Sequence, residues 1–206
     1  MFTGFPEAAL DFYDDLETDN TRSYWEAHKQ VYADAVKAPM AALTDALAEE
    51  FGEAKMFRPN RDVRFSNDKS PYKTHQGAYV PAGPALGWYV QVSAAGLLTG
   101  AGFYQASPEQ LRRVRETIAG PRGGELEKLL APLKKKGWTV GGDTVATAPR
   151  GYDKDHPRID LLRHKALTVT HTYGFEPVIH TPEFVDSVRK DWRAGRPLVE
   201  WFAEIL

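Results

Sequence analysis

The chain of 206 residues contains no cysteine, and this absence removes several kinds of chemistry at once. Disulfide bonds, thiolate zinc sites, iron–sulfur ligation and thiol nucleophiles all require a cysteine side chain. Long apolar runs are missing too, because no stretch approaches the ~18 residues of a membrane-spanning helix. The N-terminus lacks the basic and apolar regions of a signal peptide, so we expect a soluble, cytoplasmic protein with no membrane partner.

A large excess of charge of one sign is also missing, since the formal net charge is −2. Such a protein creates no long-range field, so general binding to nucleic acids is not expected. The sequence contains no G-x-x-x-x-G-K-[ST] loop, no G-x-S-x-G elbow and no complete dinucleotide fingerprint. The motifs therefore name no cofactor, and the oligomeric state is left open.

What is present is a globular composition, with 42% hydrophobic and 12% aromatic residues. Apolar periodicity predicts helices up to Gly52 and again from Ser107 to Gly137. Between them, GAYV, GWYVQVS and GLLTGAGFY are typical of strands, and ALTVTHTY indicates one more. The predicted fold class is therefore α+β, with helices packed on a mainly antiparallel sheet in a single domain of residues 1–206.

Four local features are predicted from individual residues. Pro39 is expected to interrupt a helix, and Gly195–Pro197 is expected to break the last one. We predict a short strand at Asp62–Phe65, followed by a turn at Phe65–Ser66. Residues 138–149, WTVGGDTVATAP, are predicted to form a hairpin.

Cationic side chains are concentrated in RDVRFSNDKSPYKTHQ, residues 61–76, where they outnumber the carboxylates. Proline and tyrosine limit the freedom of this segment, so it is expected to be ordered. Its cations would contact an anion, its aspartates would orient the arginines and its tyrosine would shape the pocket. The candidate ligand-binding residues here are Arg61, Asp62, Arg64, Asp68, Lys69, Tyr72 and Lys73.

A second segment, PRGYDKDHPRIDLLRHK at residues 149–165, shows a similar excess of cations. Its candidate ligand-binding residues are Arg150, Tyr152 and His156. The two segments together are predicted to form one pocket for a small phosphate- or carboxylate-bearing molecule.

Other functions remain open at this point. An enzyme could use the same pocket, with His75 or His156 as general acid or base and Asp153 or Asp155 assisting. A metal site is not expected, because nearby cations would repel a metal ion. The arginines and aspartates could instead form a structural network. Single-stranded nucleic acid could also stack its bases on Phe57, Phe65 and Tyr72 and place its phosphates against Arg58, Arg61, Arg64, Lys69 and Lys73, but this is less favoured.

Three strings of this sequence resemble the motifs of one family, the domain of unknown function numbered 2461. They are residues 61–74, RDVRFSNDKSPYKT; residues 149–157, PRGYDKDHP; and the N…YWEAHKQVY pattern of residues 20–32. The strings span most of the chain. The resemblance implies an intracellular, mainly bacterial, single-domain protein, but it implies neither a ligand nor a reaction.

Overall fold

A computed structural model describes residues 1–64 and 67–206 of the chain. The α-helices are α1 Glu7–Thr18, α2 Arg22–Val31, α3 Ala38–Asp45, α4 Ala48–Phe51, α5 Pro108–Ala119, α6 Gly123–Lys135, α7 Ile159–Leu162 and α8 Phe184–Ala203. The strands are β1 Lys55–Met56, β2 His75–Gly83, β3 Leu86–Ser93, β4 Gly96–Phe103, β5 Thr139–Gly141 and β6 Leu167–Gly174. A π-helical turn, Tyr32–Lys37, joins α2 to α3, and a 3₁₀ turn, Pro177–His180, precedes α8.

The strands form one six-stranded antiparallel sheet in the order β1-β2-β3-β4-β6-β5. At one edge Lys55 lies opposite Tyr79, and at the other Thr139 lies opposite Thr170. Helices and an antiparallel sheet are both present, so the predicted α+β class is confirmed. None of the helices within residues 1–64 and 67–206 combines the length and apolar character needed to span a membrane.

The chain divides into two compact units. Unit 1 comprises Met1–Val80, Tyr89–Thr99 and Thr172–Arg189, and unit 2 comprises Pro81–Trp88, Gly100–His171 and Lys190–Leu206. The single domain of residues 1–206 stays a prediction.

Each unit has its own aromatic core. In unit 1 the rings of Phe2, Phe5 and Phe184 pack together with centroids 5.7 to 6.4 Å apart. In unit 2 Phe103 packs edge-on against Phe202 at 4.7 Å. Gly195 allows α8 to approach β4 closely, because a β-carbon there would lie 2.9 Å from the β-carbon of Ala101.

Two predicted helix breaks are wrong. Pro39 lies in the first turn of α3, and the helical path reaches it through the π-helical turn Tyr32–Lys37, which ends just before the proline that lacks an N–H. Pro197 lies inside α8, which continues to Ala203. Trp192, Leu198 and Phe202 are almost completely buried on that helix, so burial outweighs the cost of about 3 kcal/mol for an interior proline.

Two predicted strand features are also wrong. Residues 62–64 lie outside the strands, and the rest of the predicted strand and turn, Phe65 and Ser66, lies outside the described residues. The predicted hairpin of residues 138–149 does not form. Its first half, β5, pairs with β6 instead, because the longer alternating strand offers a partner that is itself held in the sheet.

Candidate functional site

The 61–76 segment belongs to unit 1 and folds back on the residues that precede it. Asn60 and Tyr72 form an antiparallel bridge. The Arg61 N–H donates to the Pro71 carbonyl and the Lys73 N–H donates to the Pro59 carbonyl, both at 2.8 Å. These two hydrogen bonds fix the register, and in an antiparallel pair the register decides which side chains share a face.

One face of this bridge anchors the segment to helix α2. The buried Tyr72 ring stacks on Trp25 with centroids 4.3 Å apart and planes inclined by 10°. The Asn20 side chain accepts from the Tyr72 N–H and donates to its carbonyl, each at 3.0 Å. The residues of the N…YWEAHKQVY pattern therefore hold the segment in place.

The opposite face carries positive charge. Because side chains alternate along an extended chain, Arg61 and Lys73 lie on the face away from Tyr72. His75 follows a bend at Thr74, and the charges of both residues act on it. Arg58 precedes the bridge and acts electrostatically on Lys73. We call Arg58, Arg61, Lys73 and His75 the cation cluster.

Electrostatics confirm that these groups are close to one another. The pKa of Lys73 is lowered first by burial and then by the positive charges of Arg58 and Arg61. The pKa of His75 is lowered by burial and by the charges of Lys73 and Arg61. The Lys73 ammonium lies 5.3 Å from the centre of the Phe57 ring, a contact that favours the charged form, but burial and the two guanidinium groups outweigh it.

The carboxylates of the segment hold two of its arginines. Asp62 accepts from Arg64 Nε at 3.0 Å and from Nη2 at 2.7 Å, which is a bidentate pair. Asp68 pairs with Arg61. Both aspartates, predicted to orient arginines, thus contact one arginine each. Lys69 donates instead to the Val63 carbonyl at 2.9 Å.

A buried side-chain amide lies at the end of the segment, directly after His75 in the sequence. Gln76 is 1% exposed, donates to the carbonyls of Phe57 and Gly77, and accepts from the Tyr32 hydroxyl at 2.6 Å. Burial raises the pKa of Tyr32 to about 12, so this hydroxyl keeps its proton and stays a donor near neutral pH. The end of the segment is therefore rigid.

The 149–165 segment belongs to unit 2 and begins with a turn. The Tyr152 N–H donates to the Pro149 carbonyl at 3.1 Å, and Gly151 adopts a φ of 91° that suits glycine. Burial, followed by the nearby Glu116 carboxylate, raises the pKa of Tyr152. Arg150 is exposed on this turn.

Two of the predicted acid–base residues of this segment accept hydrogen bonds from its backbone. The Asp153 side chain accepts from the Asp155 N–H at 2.9 Å, which is an Asx-turn. The His156 ring nitrogen Nδ1 accepts from the Arg158 N–H at 3.0 Å. Asp155 is exposed and lies 3.3 Å from the Lys154 ammonium. A catalytic role for any of the three stays a prediction.

The remaining cations of this segment each meet a carboxylate. Arg158 Nε donates to Glu127 in α6 at 3.0 Å, and its Nη1 is 3.4 Å from two carbonyl oxygens. Arg163 lies 3.8 Å from Asp160, and Lys165 lies 3.9 Å from Asp143. Arg158 is therefore compensated within unit 2, whereas the Arg163 and Lys165 pairs are longer than hydrogen bonds.

Sequence reasoning named Arg58 only for the nucleic-acid alternative and not among the contacts of the small anion. This arginine lies three positions before the segment, and only the fold-back at residues 59–61 brings its charge to Lys73. Within the part of the chain that the structure describes, no group of three or more His, Asp or Glu side chains is placed to hold a metal ion. One pocket shared by both segments stays a prediction.

The fold and these contacts define an α+β protein with a cation cluster held by an N-terminal helix. The DUF2461 family, described as a conserved hypothetical protein, matches residues 8–201, and the chain belongs to this family. A comparison with curated proteins found no match. The family to which the three sequence strings pointed is therefore confirmed over nearly the whole chain.

Proposed function

We propose that the protein binds a small phosphate- or carboxylate-bearing anion at the cation cluster. One observation carries the proposal. Among residues 1–64 and 67–206, no carboxylate lies within ion-pair distance of Lys73, although Arg58 and Arg61 lie close enough to lower its pKa. The charge of Arg58 also acts on the Asp62 carboxylate. An anion would supply the missing counter-charge through charge-assisted hydrogen bonds.

A purely structural role accounts less well for this arrangement. Like charges that depress each other's pKa oppose folding, so they are expected where a ligand uses them. The two aspartates of the segment are engaged with Arg61 and Arg64. They orient guanidinium groups and leave Lys73 to a ligand.

A basic cleft in unit 2 is less suited to an anion than the cation cluster. A cleft of about 490 Å³ in unit 2 is lined in part by Arg113, Arg122 and Glu204. Arg122 pairs there with Glu125 and Glu204, and Arg113 donates to the Leu206 carbonyl. Carboxylates already compensate the charge of that cleft, and an added anion would meet them.

The proposal can be extended in two ways. Arg150, Tyr152 and His156 remain predicted contacts for the same ligand, but binding at the cation cluster does not depend on them. A cytoplasmic location is part of the proposal, since a fold without cysteine gains nothing from an oxidising compartment. We do not extend it to nucleic acids, because the net charge is −2.

The experiment measures the pKa of His75 by NMR as inorganic phosphate is added. Without phosphate the pKa lies below 6.5, and a bound anion should raise it because a negative charge favours the protonated ring. Sodium chloride at equal ionic strength corrects for screening. His164 is the internal control, since burial is the main cause of its lowered pKa and it lies in unit 2.

Variants then locate the site. Arg61→Gln should weaken phosphate binding roughly ten- to a hundredfold, because one charge-assisted hydrogen bond contributes about 1.5–3 kcal/mol. Lys154→Gln removes the same charge from an exposed position in unit 2 and should leave binding unchanged. A His75 pKa that ignores phosphate, or equal losses in both variants, contradicts the proposal.

A further inference from the structure

We propose that Lys73 forms an imine with the carbonyl carbon of a small anionic aldehyde or ketone bound at the cation cluster. This inference rests on the proposed function and deepens it, because it names the substrate class as an anion that also carries a carbonyl group. Arg58 and Arg61 would hold the phosphate or carboxylate, and the Lys73 amine would attack the carbonyl.

The position of Lys73 supports this role. Its backbone is fixed by the hydrogen bond to Pro59, and its amine lies over the Phe57 ring at 5.3 Å from the ring centre. This contact favours the charged ammonium form, but burial and the two neighbouring arginines outweigh it and lower the pKa of Lys73. No carboxylate of the described residues lies within ion-pair distance of it, so no acid partner holds the amine as an ammonium ion.

The positive charges around Lys73 also favour its neutral amine. A lysine becomes a nucleophile when it loses its proton, and burial beside other cations is an established way to achieve this. Burial, Arg58 and Arg61 all lower the pKa of Lys73. The same two arginines that attract an anionic substrate thus favour the neutral amine that must react with it.

The chemical step balances without an oxidant or a metal. The amine lone pair forms a bond to the carbonyl carbon while the π electrons move to oxygen, which takes up a proton. Loss of water, with release of a proton from nitrogen, gives the C=N bond. His75 lies close enough to Lys73 for the Lys73 charge to lower its pKa, and this leaves a neutral ring able to transfer these protons.

The experiment traps the imine in the full-length protein. Glyoxylate, which combines an aldehyde with a carboxylate, is added with sodium cyanoborohydride, which reduces the imine to a stable secondary amine. Peptide mass spectrometry then locates the added mass. We expect labelling at Lys73 roughly tenfold faster with glyoxylate than with the neutral propionaldehyde, since binding to one cation contributes about that factor.

Matched lysine variants separate this reaction from general lysine chemistry. Lys73→Arg keeps the positive charge but has no primary amine, so fast labelling should disappear. Lys154→Arg changes an exposed lysine of unit 2 that is not among the candidate ligand-binding residues, and it should leave fast labelling unchanged. The pH of half-maximal labelling of Lys73 should lie below 10.5, its ordinary pKa.

The outcomes distinguish this proposal from simple anion binding. If Lys73 reacts no faster than Lys154 while the His75 pKa still responds to phosphate, the imine is wrong and anion binding stands. If His75 does not respond and Lys73 is not labelled preferentially, both are wrong. Fast labelling of Lys73 that is equal for glyoxylate and propionaldehyde also overturns the inference, because the anion then has no part in the reaction.

Discussion

The 61–76 and 149–165 segments look alike in sequence but place their charges differently. In the first, the paired carboxylates, Asp62 and Asp68, come from within the segment and leave Lys73 without an acid partner among the described residues. In the second, carboxylates from outside the segment, Glu127 and Asp143, meet Arg158 and Lys165. The first segment therefore leaves Lys73 without a paired carboxylate, whereas Arg158 and Lys165 of the second connect it to other parts of the chain.

This difference shows why counting charges within a segment is a weak guide to function. Both segments contain more cations than anions, and that excess predicted one common site. Helix α6 and the loop after β5 then supply acids to the second segment. Only the first segment retains cations that lower the pKa of one another.

The largest expected effect concerns the anchor of the first segment. Tyr72→Ala removes a buried ring stacked on Trp25 and should lower the free energy of unfolding by about 3–5 kcal/mol, as large-to-small core changes do. Chemical denaturation measures this. Tyr72→Phe keeps the stack and is the control. If both variants unfold like the parent protein, the segment is not held by α2.

The next effect tests the structural role of the second segment. Arg158→Ala removes the contacts with Glu127 and two carbonyl oxygens, so the free energy of unfolding should fall by about 1–3 kcal/mol. Arg150→Ala, on the exposed turn of the same segment, should leave stability almost unchanged. Equal stabilities of the two variants in urea would remove the contrast between the segments.

A smaller effect links the comparison to pH. The pKa of His75 is lowered in the folded protein, so the unfolded chain binds a proton more readily below about pH 6.5. The free energy of unfolding should therefore fall as the pH drops below 6.5 towards the lowered folded pKa, and this contribution is complete above 6.5. His164 contributes in the same direction through burial.

Variants and phosphate separate these two contributions. His75→Gln and His164→Gln should each remove part of the loss of stability at acidic pH, measured by denaturation on both sides of about pH 6.5. Phosphate should reduce only the His75 part, because the proposed anion site lies beside that ring. Equal suppression of both parts would mean that phosphate acts on the whole protein.

The smallest expected effect concerns Arg64. Its guanidinium is 76% exposed and pairs with Asp62, which is 44% exposed. Exposed pairs contribute little to stability, so Arg64→Ala should leave the melting temperature almost unchanged. Thermal melting without ligand is the measurement. A large drop in the melting temperature would mean that the charges of the first segment also serve mainly to stabilise the fold.

Much of the fold could be predicted from the sequence. Alternating apolar residues indicated β2, β3, β4 and β6, and Ser107 with Gln110 indicated the start of α5, where the capping box is present. The helix break predicted at Pro197 was wrong, because the free energy that an interior proline costs is smaller than the stabilisation that α8 gains from its buried side chains. The hairpin predicted at residues 138–149 was wrong as well, because β5 pairs with β6, which lies further along the chain.

The candidate site could be predicted only in part. The sequence marked residues 61–76 and the Asn20 to Tyr32 pattern, and both contribute to the arrangement in unit 1. It named Arg58 only for nucleic-acid binding and could not indicate how close this residue lies to Lys73, because that depends on the bridge between Asn60 and Tyr72. Nor could it indicate that Glu127 meets Arg158, since ion pairs between distant residues leave no local periodicity.

The sequence by itself determined the α+β class, the family and the segments in which charge is concentrated, because periodicity, turn residues and motifs are local properties of the chain. Only the tertiary structure decided which charges are compensated. Coulomb interactions depend on distance and burial and not on separation along the chain. Pro59 pairs with Lys73, and Glu127 meets Arg158, only after folding brings them together. For that reason two segments of similar composition came to hold their cations in different ways.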